Sequence, residues 1–509
     1  MRRVAAIALR SLLVDLARLR SPETAASPLA VVLTQQQDRD ERSVLGNTRI
    51  SAVSPEAVEL GVRPGMTVAA ARARSADLRV RVVHAARVKQ TLCAIAEACL
   101  AFGATTATSL GARWSDDELV WVDVTGCAHL HASSEIEGER VLAGLISARV
   151  AQLGHACRVA IASGPRIAAA VARFAPESPR ALVIPPKKNR EALHRLPIAA
   201  LPMSAATTQW LESLGLGLIR DLANVPRASL GARLGRECAD VMLLIDGDDR
   251  APLCAYVPEV SPTESLSLEY AIERAEQIDF VAKALCDRIG ARLEGRGEGA
   301  LLLVLTLTYD RAFVTGDART ASFPVVLPSP LCRAADLLSV LRTRLDALGH
   351  QALVRAPIAQ VALTAAQVVV RALSTAAMFE PEAKAVRALP RLCAELVAEL
   401  GDGCVGTLAV ADSWRITERT VLLPFGAPRP RELRRLHATG AEPLRLARTP
   451  RPADVQAYEL VLRSESIEWW KPGKHADCTE WATAWVVPTG ARAMLRMSSN
   501  ETLIVGWMD

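Results

Sequence analysis

The chain opens on a short apolar run that turns at once into a helical pattern, V-A-A-I-A-L-R-S-L-L-V-D-L, Val4 to Leu16. Further strand-like runs follow at Leu29–Leu33, Leu119–Val124 and Val159–Ala162. Helical patterns fill the space between them, at Thr67–Arg74, Ala85–Phe102 and Glu135–Leu153. Strands that alternate with helices in this way predict an α/β layout for the N-terminal part. The first strand-to-helix turn is a common place for chemistry. Here it holds Ala8, Leu9, Arg10 and Ser11, with no carboxylate, glycine or histidine.

At 509 residues the chain is too long for one core and should divide into roughly three to five domains. No run of about 18 uncharged apolar residues exists, so no membrane span is expected, and Arg10 and Asp15 interrupt the N-terminal run too early for a signal peptide. The eleven cysteines contain no C-x-x-C pair, which fits reduced thiols in a cytoplasmic protein rather than a disulfide frame or a zinc site. A formal net charge of +5 is weak support for a nucleic-acid partner. Its densest basic run, Arg429 to Arg451, has seven Arg against two Glu, and fits either a solvated linker or a contact surface.

Residues 166–250 read as almost wholly helical and contain L-G-L-G-L-I-R-D-L-A-N-V-P, Leu214 to Pro226. Prolines at 258 and 262 mark a boundary. Beyond it, residues 263–370 follow a β-α-β-β-α-β order, that of a small split-βαβ domain with one open sheet face. Pro424–Pro452 reads as extended linker, and the aromatic-rich end, 456–509, as a small β-rich module.

The strand-helix start, the turn G-V-R-P-G-M (61–66), W-V-D-V-T-G (121–126), V-A-I-A-S-G-P-R-I-A-A-A-V-A (159–172), the helical region and the split-βαβ unit stand in order. Together they resemble the Y-family translesion DNA polymerases. The resemblance implies an α+β multidomain fold: a palm at 1–165 with fingers inserted at about 21–76, a helical thumb at 166–250 and a little finger at 263–370. The W-W pair and final G-W-M-D are similar to the tail of the ImuB subgroup, whose members are catalytically inactive polymerase-like proteins of the SOS mutagenesis cassette. Residues 371–455 then hold a clamp-peptide region and an Arg/Pro-rich linker, and 456–509 a C-terminal interaction module.

Phosphoryl transfer needs carboxylates that hold two metal ions. The positions that supply them in active members fall on Ala8, Arg10, Glu118 and Leu119. The steric gate falls on Leu13, the phosphate Tyr and Arg on Pro55 and Val58, and the phosphate Lys on Ala169. Sliding the second motif by one residue would recover Asp117-Glu118, but would reverse every side chain of the strand relative to the core. No metal, nucleotide or cofactor is therefore expected. The resemblance implies instead a non-catalytic adaptor in mutagenic translesion synthesis, whose partners are a sliding clamp, an error-prone C-family DNA polymerase and a RecA-like accessory protein.

Its clamp peptide corresponds to Thr375-Ala376-Ala377-Met378-Phe379, in which Met378 and Phe379 would fill an apolar pocket and Thr375 replaces the usual Gln. The same residues also fit a helix that packs Met378 and Phe379 into a core. Trp469, Trp470 and Trp507 are candidate partner anchors, or the core of the β-rich module. Without glycine in the thumb turn Pro202–Thr207, only weak, salt-sensitive DNA binding is expected. The competing readings are an active polymerase with displaced carboxylates such as Asp117, Glu118 and Asp123, or an unrelated DNA-binding protein that borrowed the fold.

Overall fold

The computed structural model describes residues 2–20, 27–36, 41–109, 118–175, 181–371, 384–401, 403–410, 420–424, 445–453, 458–465, 480–486, 491–497 and 501–507. Two compact units result, Met1–Glu399 and Leu400–Asp509. Among the described residues, no helix is long and apolar enough to cross a membrane, and the cysteines are free.

The first unit begins with β1 (Val4–Ala8), all five of whose residues are buried. It runs into α1 (Leu12–Arg20). An inserted module follows: β2 (Leu29–Thr34), β3 (Ala52–Val53), α2 (Pro55–Glu59), α3 (Val68–Arg72) and β4 (Arg79–His84). Ser54 and Thr67 cap the two short helices with their hydroxyls. The turn between these helices needs Gly61 and Gly65, at φ +78° and +87°. The three strands pair in the order β3-β2-β4, so the finger-like module runs to His84, past the expected limit near 76.

The chain returns through α4 (Ala85–Ala98), β5 (Thr105–Thr108), β6 (Leu119–Asp123), α5 (Glu135–Gln152), β7 (Arg158–Ala162), α6 (Pro165–Phe174) and β8 (Ala181–Val183). The central sheet is ordered β5-β6-β1-β7-β8. Its last strand lies beyond residue 165, and α6 packs on the sheet, so both belong to the palm and not to the thumb. One sheet face, with Ala5 and Ile7, joins α1, α4 and α5. The other, with Val4, Ala6 and Ala8, joins α6 and the helices after it. Those helices are α7 (Asn189–His194), α8 (Ala205–Ser213), α9 (Ile219–Ala223), α10 (Arg227–Leu234) and α11 (Cys238–Ile245). The buried Arg3 side chain ties the palm together: it donates to both Glu139 oxygens at 2.6 Å, and to Ser163 Oγ and Ile184 O at 2.8 Å.

The split-βαβ order is present as expected: β9 (Thr263–Ile272), α12 (Ala275–Arg296), β10 (Glu298–Tyr309), β11 (Thr320–Leu331), α13 (Ala334–Leu348), α14 (His350–Leu353) and β12 (Ile358–Val370). The antiparallel sheet is ordered β11-β10-β12-β9. Prolines 324, 328 and 330 interrupt its β11 edge, which limits pairing with another chain. α15 (Lys384–Leu400) adds Ala394 and Ala398 to this core.

Helix α12 joins this domain to the palm through a buried charge network. Glu97 of α4 is fully buried. It accepts from Arg292 Nε at 2.8 Å, from Arg292 Nη2 at 3.0 Å and from Tyr256 Oη at 2.8 Å. Arg292 Nη1 reaches Glu264 Oε1 at 2.9 Å. Gly295 lets the helices approach, since a Cβ there would come within 2.0 Å of the Glu97 carbonyl oxygen.

In the second unit, β13 (Gly406–Val410) and β14 (Thr420–Pro424) form a hairpin. A five-stranded antiparallel sheet combines β15 (Arg445–Pro452), β16 (Tyr458–Glu465), β17 (Glu480–Val486), β18 (Arg492–Met497) and β19 (Thr502–Trp507), in the order β15-β19-β18-β17-β16. The β-rich module therefore starts at 445 and takes in the end of the expected linker.

Removing one partner of a buried ion pair strands the other charge. Glu97→Ala should lower unfolding free energy by about 3–5 kcal/mol, read as a lower urea midpoint with an unchanged slope.

Candidate functional site

The C-terminal end of β1 is where the chain could carry chemistry, and the strand register says what stands there. Ala8 pairs with Leu119 and Val4 with Asp123. The one-residue slide that would recover Asp117-Glu118 is therefore not adopted: it would exchange Leu119 and Trp121, which pack against α6, with Val120 and Val122, which pack on the other face of the sheet. Leu119 is 1% exposed and Trp121 fully buried. Trp121 Nε1 donates to Pro165 O at 3.0 Å and anchors the start of α6 over the sheet. Alanines on both surfaces (Ala6, Ala8, Ala160 and Ala162 on the sheet, Ala168, Ala169 and Ala172 on the helix) let them pack closely.

Beside this seam lies a pocket of about 270 Å³ lined by Ala8, Leu9, Arg10, Glu118, Leu119, Arg173 and Phe174. The Leu9 amide donates to Glu118 O at 3.1 Å, which holds the two strand ends together. Arg173 lies 4.7 Å from the Phe174 ring centroid. Glu118 is the one carboxylate among the lining residues, against two guanidinium groups. Among the described residues no group of three or more His, Cys, Asp or Glu side chains could hold a metal ion. Asp117 lies outside the described residues. A pair of divalent cations requires several carboxylates at close range; among the described residues the pocket offers one, Glu118.

The other proposed carboxylates are not at the pocket. Asp123 sits four residues along β6 from Leu119, about 13 Å away at strand rise. Arg2 Nε donates to it at 2.8 Å, and Thr125 Oγ1 at 2.6 Å. Partial burial raises its pKa, but these bonds and the Arg2 charge outweigh that and hold it below the ordinary carboxylate value. Asp15 accepts from Ser11 Oγ at 3.2 Å and from the Ala156 amide at 3.0 Å.

Of the positions expected to grip triphosphate, none lines the pocket. Leu13 is buried in the core on the opposite sheet face. Pro55 is the first residue of α2 and Val58 is partly exposed on it. Ala169 is buried against the sheet, where a lysine ammonium would lose its water. Sequence reasoning missed Arg173 and Phe174. The available signal was helical spacing: Arg173 lies one turn beyond Ala169.

Two further surfaces bear on nucleic-acid contact. Around Pro202–Thr207, Ser204 caps α8 with its own hydroxyl, and Glu237 Oε2 accepts the Ser204 amide at 3.4 Å. The Ser204 amide is thus satisfied by an acid of the protein itself. On the outer face of the little-finger-like sheet, the rows Thr320–Thr308–Gln360–Ser267, Ser322–Thr306–Ala362–Ser265 and Pro324–Val304–Thr364–Thr263 carry no Lys or Arg. Thr375, Met378, Phe379, Trp469 and Trp470 lie outside the described residues. Trp507 is half-buried against the small core of Ala482, Ala484, Ala493, Leu495 and Ile504, so it is a packing residue rather than an exposed anchor. The partly exposed tryptophan of that sheet is Trp485, with Arg492 5.0 Å from its ring.

Residues 7–173 match the model of the impB/mucB/samB family. That match takes in the layered sheet domain and its pocket, and it is a similarity to a family of Y-family polymerase-like proteins. Two proteins named ImuB, from Caulobacter vibrioides strains NA1000 / CB15N and ATCC 19089 / CIP 103742 / CB 15, are each 29% identical over 241 residues, which is 47% of this chain and 50% of theirs. The chain is thus similar to ImuB proteins and, over residues 7–173, to the impB/mucB/samB family, and it spans about half the length of the curated relatives it matches. Among solved structures, the Y-family DNA polymerase chimera Dbh-Dpo4(243-245)-Dbh aligns with a TM-score of 0.41 at 15% identity, covering 72% of this chain and 100% of its own. DinB from Sulfolobus solfataricus aligns with a TM-score of 0.40 at 15% identity, covering 71% and 98%.

Ala8 is 2% exposed, so a carboxylate there would be desolvated and forced against the closely packed α6, although Arg10 and Arg173 line the pocket beside it. Ala8→Asp should therefore destabilise the fold by about 3 kcal/mol or more without creating a metal site. Urea unfolding and Mn²⁺ titration check the two halves of that statement.

Proposed function

We propose that this chain is a non-catalytic adaptor in mutagenic DNA synthesis. The observation that carries the reading is the pocket at the β1–β6 strand ends. Two arginines, one glutamate and apolar side chains line it where phosphoryl transfer would need a cluster of acids. Every step that depends on a metal pair is lost at once: activation of the primer hydroxyl, orientation of the triphosphate and stabilisation of the leaving oxygen. What a palm, thumb and little finger retain without metals is surface.

On this reading the partners are a sliding clamp, an error-prone C-family DNA polymerase and a RecA-like accessory protein, and the similarity to ImuB proteins supports that set. Met378 and Phe379 are the proposed anchors in the clamp pocket, with Thr375 at the head of the peptide. Trp469 and Trp470 are proposed anchors for a protein partner of the second unit. DNA is held weakly, because the sheet face lacks cations and the thumb turn is capped by Glu237.

Primer extension by the purified chain on a primed template, with Mg²⁺ or Mn²⁺ and all four dNTPs, tests the central claim. The parent and a Glu118→Ala variant should both give no product. Extension by the parent that Glu118→Ala abolishes would mean that Glu118 and the acids before it form a working metal site. Clamp binding is read separately, by surface plasmon resonance. A Met378→Ala, Phe379→Ala double variant should weaken it at least tenfold, the scale of two pocket anchors.

A further inference from the structure

The contact between α4 and α12 leaves one part of its charge unbalanced. Next to the closed Glu97–Arg292 network lies a cavity of about 20 Å³, with Arg87, Thr91, Ile95, His155, Glu264 and Arg288 in its wall. Arg288 is 8% exposed, and its Nη1 has no hydrogen-bond partner. His155 is 5% exposed and its Nδ1 likewise has none. The nearest acid to that nitrogen is Asp15 Oδ2 at 4.0 Å, which already accepts from Ser11 and Ala156. Glu264, the one carboxylate in the wall, gives its Oε1 to Arg292. Among the described residues Arg87 forms no ion pair.

Two guanidinium groups thus face a small space whose one carboxylate already pairs with Arg292; the charges of Glu264 and Asp287 act on Arg288 but do not outweigh its burial and the charge of Arg87. Burial and then Arg87 lower the pKa of Arg288, and burial, Arg288 and Arg87 lower that of His155 to about 4. A buried cation without an anion is among the costliest arrangements in a protein interior. Water would supply hydrogen bonds but no charge. The space of about 20 Å³ exceeds the ~10–15 Å³ that one water requires, so it can admit a monatomic ion. Arg87 also lines a neighbouring open cleft of about 220 Å³ with Arg81, His84, Ser265 and Ser267, which gives an ion a route from solvent.

We propose that this cavity is a site for a single monatomic anion, chloride or bromide, held by Arg288 and Arg87, which fastens the little-finger-like domain to the palm. The site joins α4 and the loop after α5 to α12 and β9. Its occupancy is therefore coupled to the docking of the two domains and is independent of the adaptor reading.

Thermal unfolding of the full chain in sodium chloride, sodium bromide and sodium gluconate, at one fixed ionic strength, tests the site. Gluconate is too large to enter. The two halides should raise Tm by about 2–4 °C along a saturating curve, with no such rise in gluconate. Arg288→Met should abolish the difference between salts. No halide dependence in the parent would mean that the cavity holds only water, and would overturn the proposal. So would a halide effect that survives in Arg288→Met. Should that variant fail to fold, chlorine NMR of the parent decides. Line broadening relieved by bromide but not by gluconate supports the site, and unbroadened chloride overturns it.

Discussion

The central strand β1 is buried on both faces, and most of the first unit is organised by that constraint. A strand in the middle of a sheet, covered by helices on each side, cannot carry a charge on either face without a partner. Its odd and even residues therefore feed two separate cores. Ala5 and Ile7 face α1, α4 and α5, while Val4, Ala6 and Ala8 face α6. The close seating of α6 needs small side chains at exactly the strand end where an active polymerase needs an acid. Once Ala8 and Leu119 are packed there, the pocket beside them is an edge of the core, with Glu118 its one described carboxylate.

The same substitution of the protein's own groups for a ligand recurs elsewhere. Asp249 accepts the Arg166 and Ile167 amides at the start of α6, at 2.6 and 3.2 Å. Glu237 and Ser204 take the amides at the start of α8. Free helix N-termini are ready anion sites, and here two of them are internally capped. With the charge-free sheet rows, this leaves few places for a phosphate backbone to be gripped. Rigidity, by contrast, is well provided. The Glu97 network and Gly295 press α12 onto α4, so the domains that would move around DNA in an enzyme share a buried polar interface.

Much of this was legible in the sequence because it depends on short-range pattern. Periodicity gave the β-α-β-β-α-β order of 263–370 and the bounds of β1, β6 and β7 to within a residue or so. The pairing of Ala8 with Leu119, by contrast, came only with the register of the sheet. The misses share a different cause. β8 is only three residues long and joins the sheet solely through its neighbour β7, so nothing local marks it as palm. Arg445–Pro452 carries the composition of a linker, yet pairs with β19. Asp123 looked like a spare ligand until the strand placed it at the far end of β6 from Glu118 and beside Arg2.

The sequence by itself determined which groups are missing: no acid at residue 8 or 119, no lysine at 169, no tyrosine at 55. Those absences are properties of single residues and need no coordinates. Only the tertiary structure decided what replaced them. Arg10 and Arg173, 163 positions apart, meet at one pocket. Arg87 and Arg288, from two domains, meet at another. Charge is additive along a chain, but its energy depends on distance and burial, and these are set only when distant segments pack.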